Sequence, residues 1–284
     1  MSEQKYILKN QNSFNLKHIF ECGQCFRWEK QKDESYTGIF NNTVLNVKQN
    51  GKTIVFTGIS DKKIFSEIKE YFNLEKDYIE IKKQLEKIDQ YLSNSIKFGE
   101  GIRILKQDLW ETLISFIISA NNNIPRIKKI IETISKTYGK KITWQGKDYY
   151  TFPTPQELSK ASIEDLRKLG LGFRDKRIYE TTKIINENKE LLKQIQNEKD
   201  FNKQRNQLLQ FPGVGPKVAD CILLFALNKY EAFPIDVWVK KVMSEIYFSQ
   251  EATPKQIEDL AKNKYGNLAG IAQQYLFYWK RETA

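Results

Sequence analysis

Cysteine is scarce in this sequence: Cys22, Cys25 and Cys221 are the three among 284 residues. So few thiols suit a reducing compartment better than a disulfide framework. Cys22 and Cys25 form a C-x-x-C pair, but a structural zinc site usually wants four ligands. Cys221 and the single histidine, His18, are the other soft candidates, so neither a closed zinc site nor a catalytic metal is expected. A redox pair normally sits at a helix start after a strand, whereas Cys25 opens the strand-like CFRWEKQ. Long uncharged apolar runs are also missing, and Met1–Tyr6 has neither a charged n-region nor an apolar h-region. The expectation is a soluble intracellular protein of the cytoplasm or nucleoid, without a membrane partner. No internal repeat and no long linker is visible.

What is present is a sizeable core and a surplus of positive charge. The chain is 40% hydrophobic and 13% aromatic, enough for one or two intimately packed domains. Lys and Arg number 46 against 35 Asp and Glu, a formal net charge of +11. That balance favours a polyanionic partner, nucleic acid above all.

The first sixty residues read as β. Cys25–Gln31, Tyr36–Phe40, Thr43–Lys48 and Thr53–Thr57 alternate or carry β-branched and aromatic residues, and Asn50-Gly51 predicts a type I′ hairpin turn. No β–helix–β alternation follows, so the sheet should be antiparallel. From Ser60 the period becomes helical: Ile64, Phe65, Ile68 and Phe72 form one stripe. Trp110, Leu113, Ile114, Ile117 and Ile118 form another, and Ile127, Ile130, Ile131 and Ile134 a third, ended by Gly139. Thr154-Pro155-Gln156-Glu157 and Thr253-Pro254-Lys255-Gln256 read as capping boxes with proline at the first helical position. The polar stretch Asn186–Gln207 reads as solvated helix and loop. The predicted fold class is α+β. A small antiparallel N-terminal domain with helices (1–105) precedes an all-helical helix-hairpin-helix domain (106–284).

The chemistry concentrates in Leu208–Met243. An apolar helix enters Phe211-Pro212-Gly213-Val214-Gly215-Pro216, and a second helix starts at Pro216. Two glycines permit unusual backbone angles and let a phosphate approach exposed N–H groups, with the next helix's positive end aimed at the same anion. This helix-hairpin-helix would grip a DNA backbone without reading sequence. Lys217 lies one residue into the second helix. A helix start and an apolar neighbourhood both disfavour an ammonium, which is the route to an amine nucleophile capable of Schiff-base chemistry. Asp236, in Phe233-Pro234-Ile235-Asp236-Val237-Trp238, reads as an N-cap that stays ionised. Facing a sugar, its carboxylate could stabilise an oxocarbenium-like transition state.

These residues resemble the helix-hairpin-helix DNA glycosylases, and within them the 8-oxoguanine DNA glycosylase/AP lyase family. The similarity runs from Cys22-Gly23-Gln24-Cys25-Phe26-Arg27-Trp28, through Phe116–Arg126 and Leu166–Arg174, to Ala272-Gln273-Gln274-Tyr275-Leu276-Phe277. It implies excision of 8-oxoguanine opposite cytosine from double-stranded DNA in base excision repair. Lys217 would attack C1′, form an imine and permit β-elimination, with Asp236 the essential carboxylate. The Gly23 carbonyl would accept from N7–H, Cys221 and Phe277 would sandwich the flipped base, and Gln273 would bond its Watson–Crick edge. Asn121 would fill the vacated space, Arg126 and Arg174 would read the orphaned cytosine, and Phe173 would wedge beside it. Gly213, Val214, Gly215 and Trp238 would hold the DNA backbone.

Two positions depart from the eukaryotic members, Phe173 replacing a tyrosine and Trp238 a histidine. Loss of that hydroxyl would loosen selectivity for the opposite base. The resemblance implies a monomer without a cofactor, and leaves a place for a structural monovalent cation at the hairpin. Lacking cysteine after Cys221, the chain could not hold the four-cysteine iron–sulfur cluster of related glycosylases. Two other readings stay open at this level: another helix-hairpin-helix glycosylase for oxidised bases, and a non-catalytic DNA-binding protein.

Overall fold

Turns of two residues set the register of the three central strands of the N-terminal sheet in the computed structural model, which describes residues 4–59 and 63–283. The first three residues of the Met1–Tyr6 stretch considered above, and the Ser60 start of helical patterning, lie outside the described residues. Five antiparallel strands, β1 (Gln4–Leu8), β2 (Trp28–Lys30), β3 (Tyr36–Phe40), β4 (Thr43–Asn50) and β5 (Thr53–Ile59), are arranged β1-β5-β4-β3-β2. Asn41 and Asn42, at φ +44° and +59°, join the paired Phe40 and Thr43. Left-handed backbone at both central residues is the type I′ pattern, which matches strand twist. The turn expected at Asn50-Gly51 falls one residue later. Asn50 pairs with Thr53, and of the intervening residues only Gly51 has positive φ (+57°), a glycine-first turn. β1 was not legible in the sequence; it gains its strand conformation by pairing with β5.

Helices α1 (Leu16–Phe20) and α2 (Lys63–Tyr71) share a core with the sheet. Phe20 stacks on Trp28 with ring centroids 4.3 Å apart, and Phe56 meets Phe72 edge-on at 5.3 Å. The remaining helices build a second core: α3 (Tyr78–Glu86), α4 (Gln90–Phe98), α5 (Leu109–Ser119), α6 (Ile124–Tyr138), α7 (Pro155–Leu158), α8 (Ile163–Leu166), α9 (Asp175–Glu187), α10 (Leu191–Asn197), α11 (Phe201–Leu208), α12 (Pro216–Phe225), α13 (Val237–Tyr247), α14 (Pro254–Tyr265) and α15 (Ala269–Thr283). The boxes at Thr154/Glu157 and Thr253/Gln256 cap α7 and α14 reciprocally. One hairpin interrupts this helical part: β6 (Lys141–Trp144) and β7 (Lys147–Tyr150) pair across Gln145-Gly146, both at positive φ. The Asn186–Gln207 stretch is anchored as well as solvated, since Ile195 and Gln204 are buried and Gln204 Nε2 donates to the Ile195 carbonyl at 2.7 Å.

The segment Cys22–Trp28 runs along the seam between the two cores. Cys22 and Phe26 pack in the helical core, Cys25 and Trp28 in the sheet core. This division explains why the expected strand Cys25–Gln31 shortens to Trp28–Lys30. It also separates the C-x-x-C thiols: Cys22 Sγ donates to the Ile19 carbonyl and Cys25 Sγ to that of Phe20. Buried Gln24 closes the seam, its amide nitrogen donating to the Ile19 and Arg103 carbonyls and its oxygen accepting from Leu105 N–H. Among the described residues, no group of three or more His, Cys, Asp or Glu is placed to hold a metal, and no helix is long and apolar enough to cross a membrane.

Candidate functional site

The turn between α11 and α12 takes its shape from Gly213, at φ +85°, a conformation side chains rarely adopt. A Cβ there would also meet Arg177 Cδ at 2.6 Å. Val214 N–H donates to the Phe211 carbonyl, closing the turn, and Val214 itself is buried. Gly215 is the exposed N-cap of α12 and supplies no side-chain cap. The first N–H groups of the helix therefore stay available to an anion. Behind the turn, Arg205 of α11 grips Asp220 of α12 through Nε–Oδ1 (2.6 Å) and Nη2–Oδ2 (3.1 Å).

Along α12, Lys217, Cys221 and Phe225 recur every fourth residue and so share one face. That face lines a recess of about 40 Å³ together with Gly23, Phe116, Pro234, Asp236, Gln273, Gln274 and Phe277. The structure thus gathers six predicted site residues, Gly23, Lys217, Cys221, Asp236, Gln273 and Phe277, from four separate segments. Lys217 Nζ stands 5.4 Å from the centre of the Phe116 ring. Cys221 is buried, and burial pushes its thiol up to about 11. Asp236 caps α13, accepting Val239 N–H at 2.8 Å. The cap by itself would hold the carboxyl low; burial outweighs it, and the carboxyl lies above its usual value despite the opposing Val239 N–H and Lys217 charge.

The remaining recess walls come from the seam and α15. Gly23 has φ +86°, and a Cβ there would lie 3.3 Å from Phe277 Cε1. The carbonyls on either side of Gly23 are bound: Cys22 O by Gln274 Nε2 at 2.6 Å and Gln24 O by Gln107 Nε2 at 2.7 Å. These amides fix the direction of the peptide between them. Gln273 is buried with its Oε1 unpaired. An orphaned buried acceptor is costly unless a ligand completes it.

A second cluster forms where α5 ends. Asn121, at φ +50°, is exposed, and the carbonyls of Ala120 and Asn121 are held by Arg174. Arg174 is only 2% exposed; Nε donates to Ala120 O, Nη2 to Ala120 O and Asn121 O, and Nη1 to Leu171 O. Four bonds leave one of five N–H donors, so Arg174 could make a single contact to a cytosine while keeping its carbonyl partners, and a second contact would require exchanging one. Arg126 is exposed and spends one long contact, 3.4 Å, on Gly170 O. Phe173 is 55% exposed, flanked by the guanidiniums of Arg174 (4.3 Å) and Arg177 (5.2 Å). Trp238 stands apart on the first turn of α13, half-buried.

Four contributors were missed from sequence. Arg177 links the hairpin glycine to Phe173, Phe116 floors the lysine, and Gln274 clamps the Gly23 loop. Arg281 also packs against Gly23. A helical face pointing at the hairpin could have flagged Arg177, four residues after Phe173. No local signal marks the other three.

A helix-hairpin-helix beside a recess holding a lysine and an aspartate defines a class of DNA repair protein, and residues 114–266 match the family model described as HhH-GPD superfamily base excision DNA repair protein. Residues 6–113 match the model described as 8-oxoguanine DNA glycosylase, N-terminal domain. The chain belongs to the 8-oxoguanine DNA glycosylase family. It is 33% identical over 248 residues to the probable N-glycosylase/DNA lyase of Methanothermobacter thermautotrophicus, covering 80% of this chain and 78% of that protein. It is 31% identical to the Saccharomyces cerevisiae N-glycosylase/DNA lyase, covering 91% and 74%. The structure resembles Clostridium acetobutylicum 8-oxoguanine glycosylase/lyase in complex with double-stranded DNA containing cytosine opposite the lesion: TM-score 0.94, 44% identity, 99% of this chain and 98% of that one.

Proposed function

We propose that this chain is a bifunctional DNA glycosylase/AP lyase that flips 8-oxoguanine, paired with cytosine, out of duplex DNA and excises it. The observation that carries this reading is the convergence of Lys217, Asp236 and the unpaired Gln273 oxygen on one recess beside Gly23. The relatives named as N-glycosylase/DNA lyases support it. The hairpin holds the backbone, and Asn121 with Phe173 offsets the few kcal/mol of lost stacking and pairing. Arg126 and Arg174 face the estranged cytosine. The recess has space for a few waters, so the half-buried Phe277 ring withdraws as the base slides between it and Cys221.

Chemistry follows from the two catalytic groups. The Lys217 amine attacks C1′ as the C1′–N9 bond breaks; the base leaves with that electron pair and takes up the proton that the lysine nitrogen sheds on bonding to C1′. The Asp236 carboxylate stabilises positive charge developing on the sugar. Ring opening gives an imine between Lys217 and C1′, and loss of a C2′ proton expels the 3′ phosphate. Gly23 O accepts N7–H, which guanine lacks, so guanine would leave a buried carbonyl unpaired. We read the unit as a cofactor-free monomer acting inside the cell. Its division near residue 105, with a monovalent cation at the hairpin, belongs to the same reading.

Borohydride trapping on an 8-oxoguanine·cytosine duplex tests this. A covalent adduct that Lys217→Gln abolishes is the expected result. Tight binding without an adduct would instead support a non-catalytic binder, and a substrate panel with each opposite base separates the related glycosylases.

A further inference from the structure

Beside Gly23, next to the recess and not among its lining residues, lies a second unsatisfied polar group, of opposite polarity to Gln273 Oε1. Arg281 lies one turn beyond Phe277 on α15, so the two share a face. Its guanidinium carbon is 5.2 Å from the Phe277 ring centre and 5.6 Å from that of Tyr278. Nη2 donates to Glu21 O at 2.5 Å and Nε to Glu282 Oε1 at 2.9 Å. Nη1 is buried without an acceptor, and it stands 3.2 Å from where a Gly23 side chain would begin. A buried guanidinium N–H left unpaired asks for an explanation. Bracing Phe277 would need only the ring contact, and holding the Glu21 carbonyl uses Nη2, so neither accounts for Nη1.

We infer that Arg281 is a specificity-determining residue whose Nη1–H is held beside Gly23 to donate to the C8 carbonyl of an oxidised purine. This rests on the function proposed above. 8-Oxoguanine presents a donor, N7–H, next to an acceptor, C8=O. The Gly23 carbonyl would be the complementary acceptor, and Arg281 Nη1, 3.2 Å from the Gly23 Cβ position, the complementary donor. Guanine offers a bare N7 and a C8–H, which mismatch both. The ligand then completes two orphans at once: Nη1 at its five-membered ring and Gln273 Oε1 at the Watson–Crick edge. Withdrawal of Phe277 on base entry uncovers Nη1, because the ring and Nη1 both crowd Gly23 in the unliganded structure.

The test compares dissociation constants in a Lys217→Gln background, where the lesion is not consumed. Duplexes carrying 8-oxoguanine, 8-oxoadenine (which keeps N7–H and C8=O but changes C6), undamaged guanine or a tetrahydrofuran abasic analogue are titrated against Arg281→Met and Arg281→Lys. The expected result for Arg281→Met is an about tenfold fall in the ratio of 8-oxoguanine to abasic affinity, the scale of one charge-assisted bond. The fall should be of similar size for 8-oxoadenine and partly restored in Arg281→Lys. Equal losses on lesion and abasic duplexes, which leave the ratio unchanged, would reduce Arg281 to a brace and overturn the assignment, as would no loss on either. A loss confined to 8-oxoguanine would move the contact to C6 and also overturn it. If the parent background itself does not prefer 8-oxoguanine over guanine, the proposed function fails first. Melting temperatures identify any variant that fails to fold, in which case Arg281→Lys alone carries the comparison.

Discussion

Asp236 carries two opposed demands, and its chemistry follows from which one prevails. As an N-cap it accepts Val239 N–H, yet burial raises its carboxyl above the ordinary value. If the carboxylate is the active form, excision should fall as pH drops through that raised value, and Asp236→Asn should slow excision severely and remove the acid limb. Single-turnover rates across pH check this; near-normal turnover in Asp236→Asn would refute the role. Stability runs the other way. Between the unfolded and folded values the folded chain holds a proton that the unfolded chain lacks, so this group's contribution weakens as pH rises through that window. Asp236→Asn should flatten that slope in melting curves, while Asp236→Ala loses the cap as well, about 1 kcal/mol. Gly23 allows a sharper test. Its φ of +86° and the Phe277 and Arg281 atoms against it predict that Gly23→Ala costs at least tenfold in lesion excision, with cleavage at a preformed abasic site less affected.

At the scale of elements, the hairpin should behave as a grip indifferent to damage. Gly213→Ala introduces a Cβ at 2.6 Å from Arg177 Cδ on left-handed backbone, a strain of about 1–3 kcal/mol. Affinity for lesion and undamaged duplexes should fall by the same factor; a loss confined to the lesion would contradict the assignment. The Arg205–Asp220 pair fixes α11 against α12. Arg205→Met strands a largely buried carboxylate, with an expected loss of about 3 kcal/mol readable as a lowered Tm, and Arg205→Met with Asp220→Leu should recover much of it.

The same elements show what could be read from sequence. The glycines, Lys217 and Asp236 lie within a short span, and their spacing alone displays a helix-hairpin-helix and its neighbours. The amphipathic stripes of α2, α5 and α6 were equally plain because helical period is a local property. Gln145-Gly146 offered a turn signal between KITW and KDYY that the surrounding helices obscured. Arg174 shows the opposite case: its residue type suggested a reader of bases, but nothing local disclosed that its donors also serve the end of α5, a partnership set by tertiary packing. Arg281 meets Gly23 from the other end of the chain, beyond the reach of any local pattern.

For the whole molecule, the +11 charge predicts DNA affinity that falls steeply with salt, each phosphate contact adding about 0.9 to the slope of log affinity against log salt. Charge reversal at Arg177 should lower that slope, and a slope near zero would deny a backbone grip. A wider consequence follows from the strip Cys22–Trp28, whose side chains alternate between the two cores. The peptide that would inspect a damaged base is also the stitch joining both halves of the molecule. Loosening either half would remove the packing that holds one side of that stitch. On warming, discrimination between oxidised and intact guanine should therefore erode ahead of the melting transition, making fidelity the earliest casualty of instability.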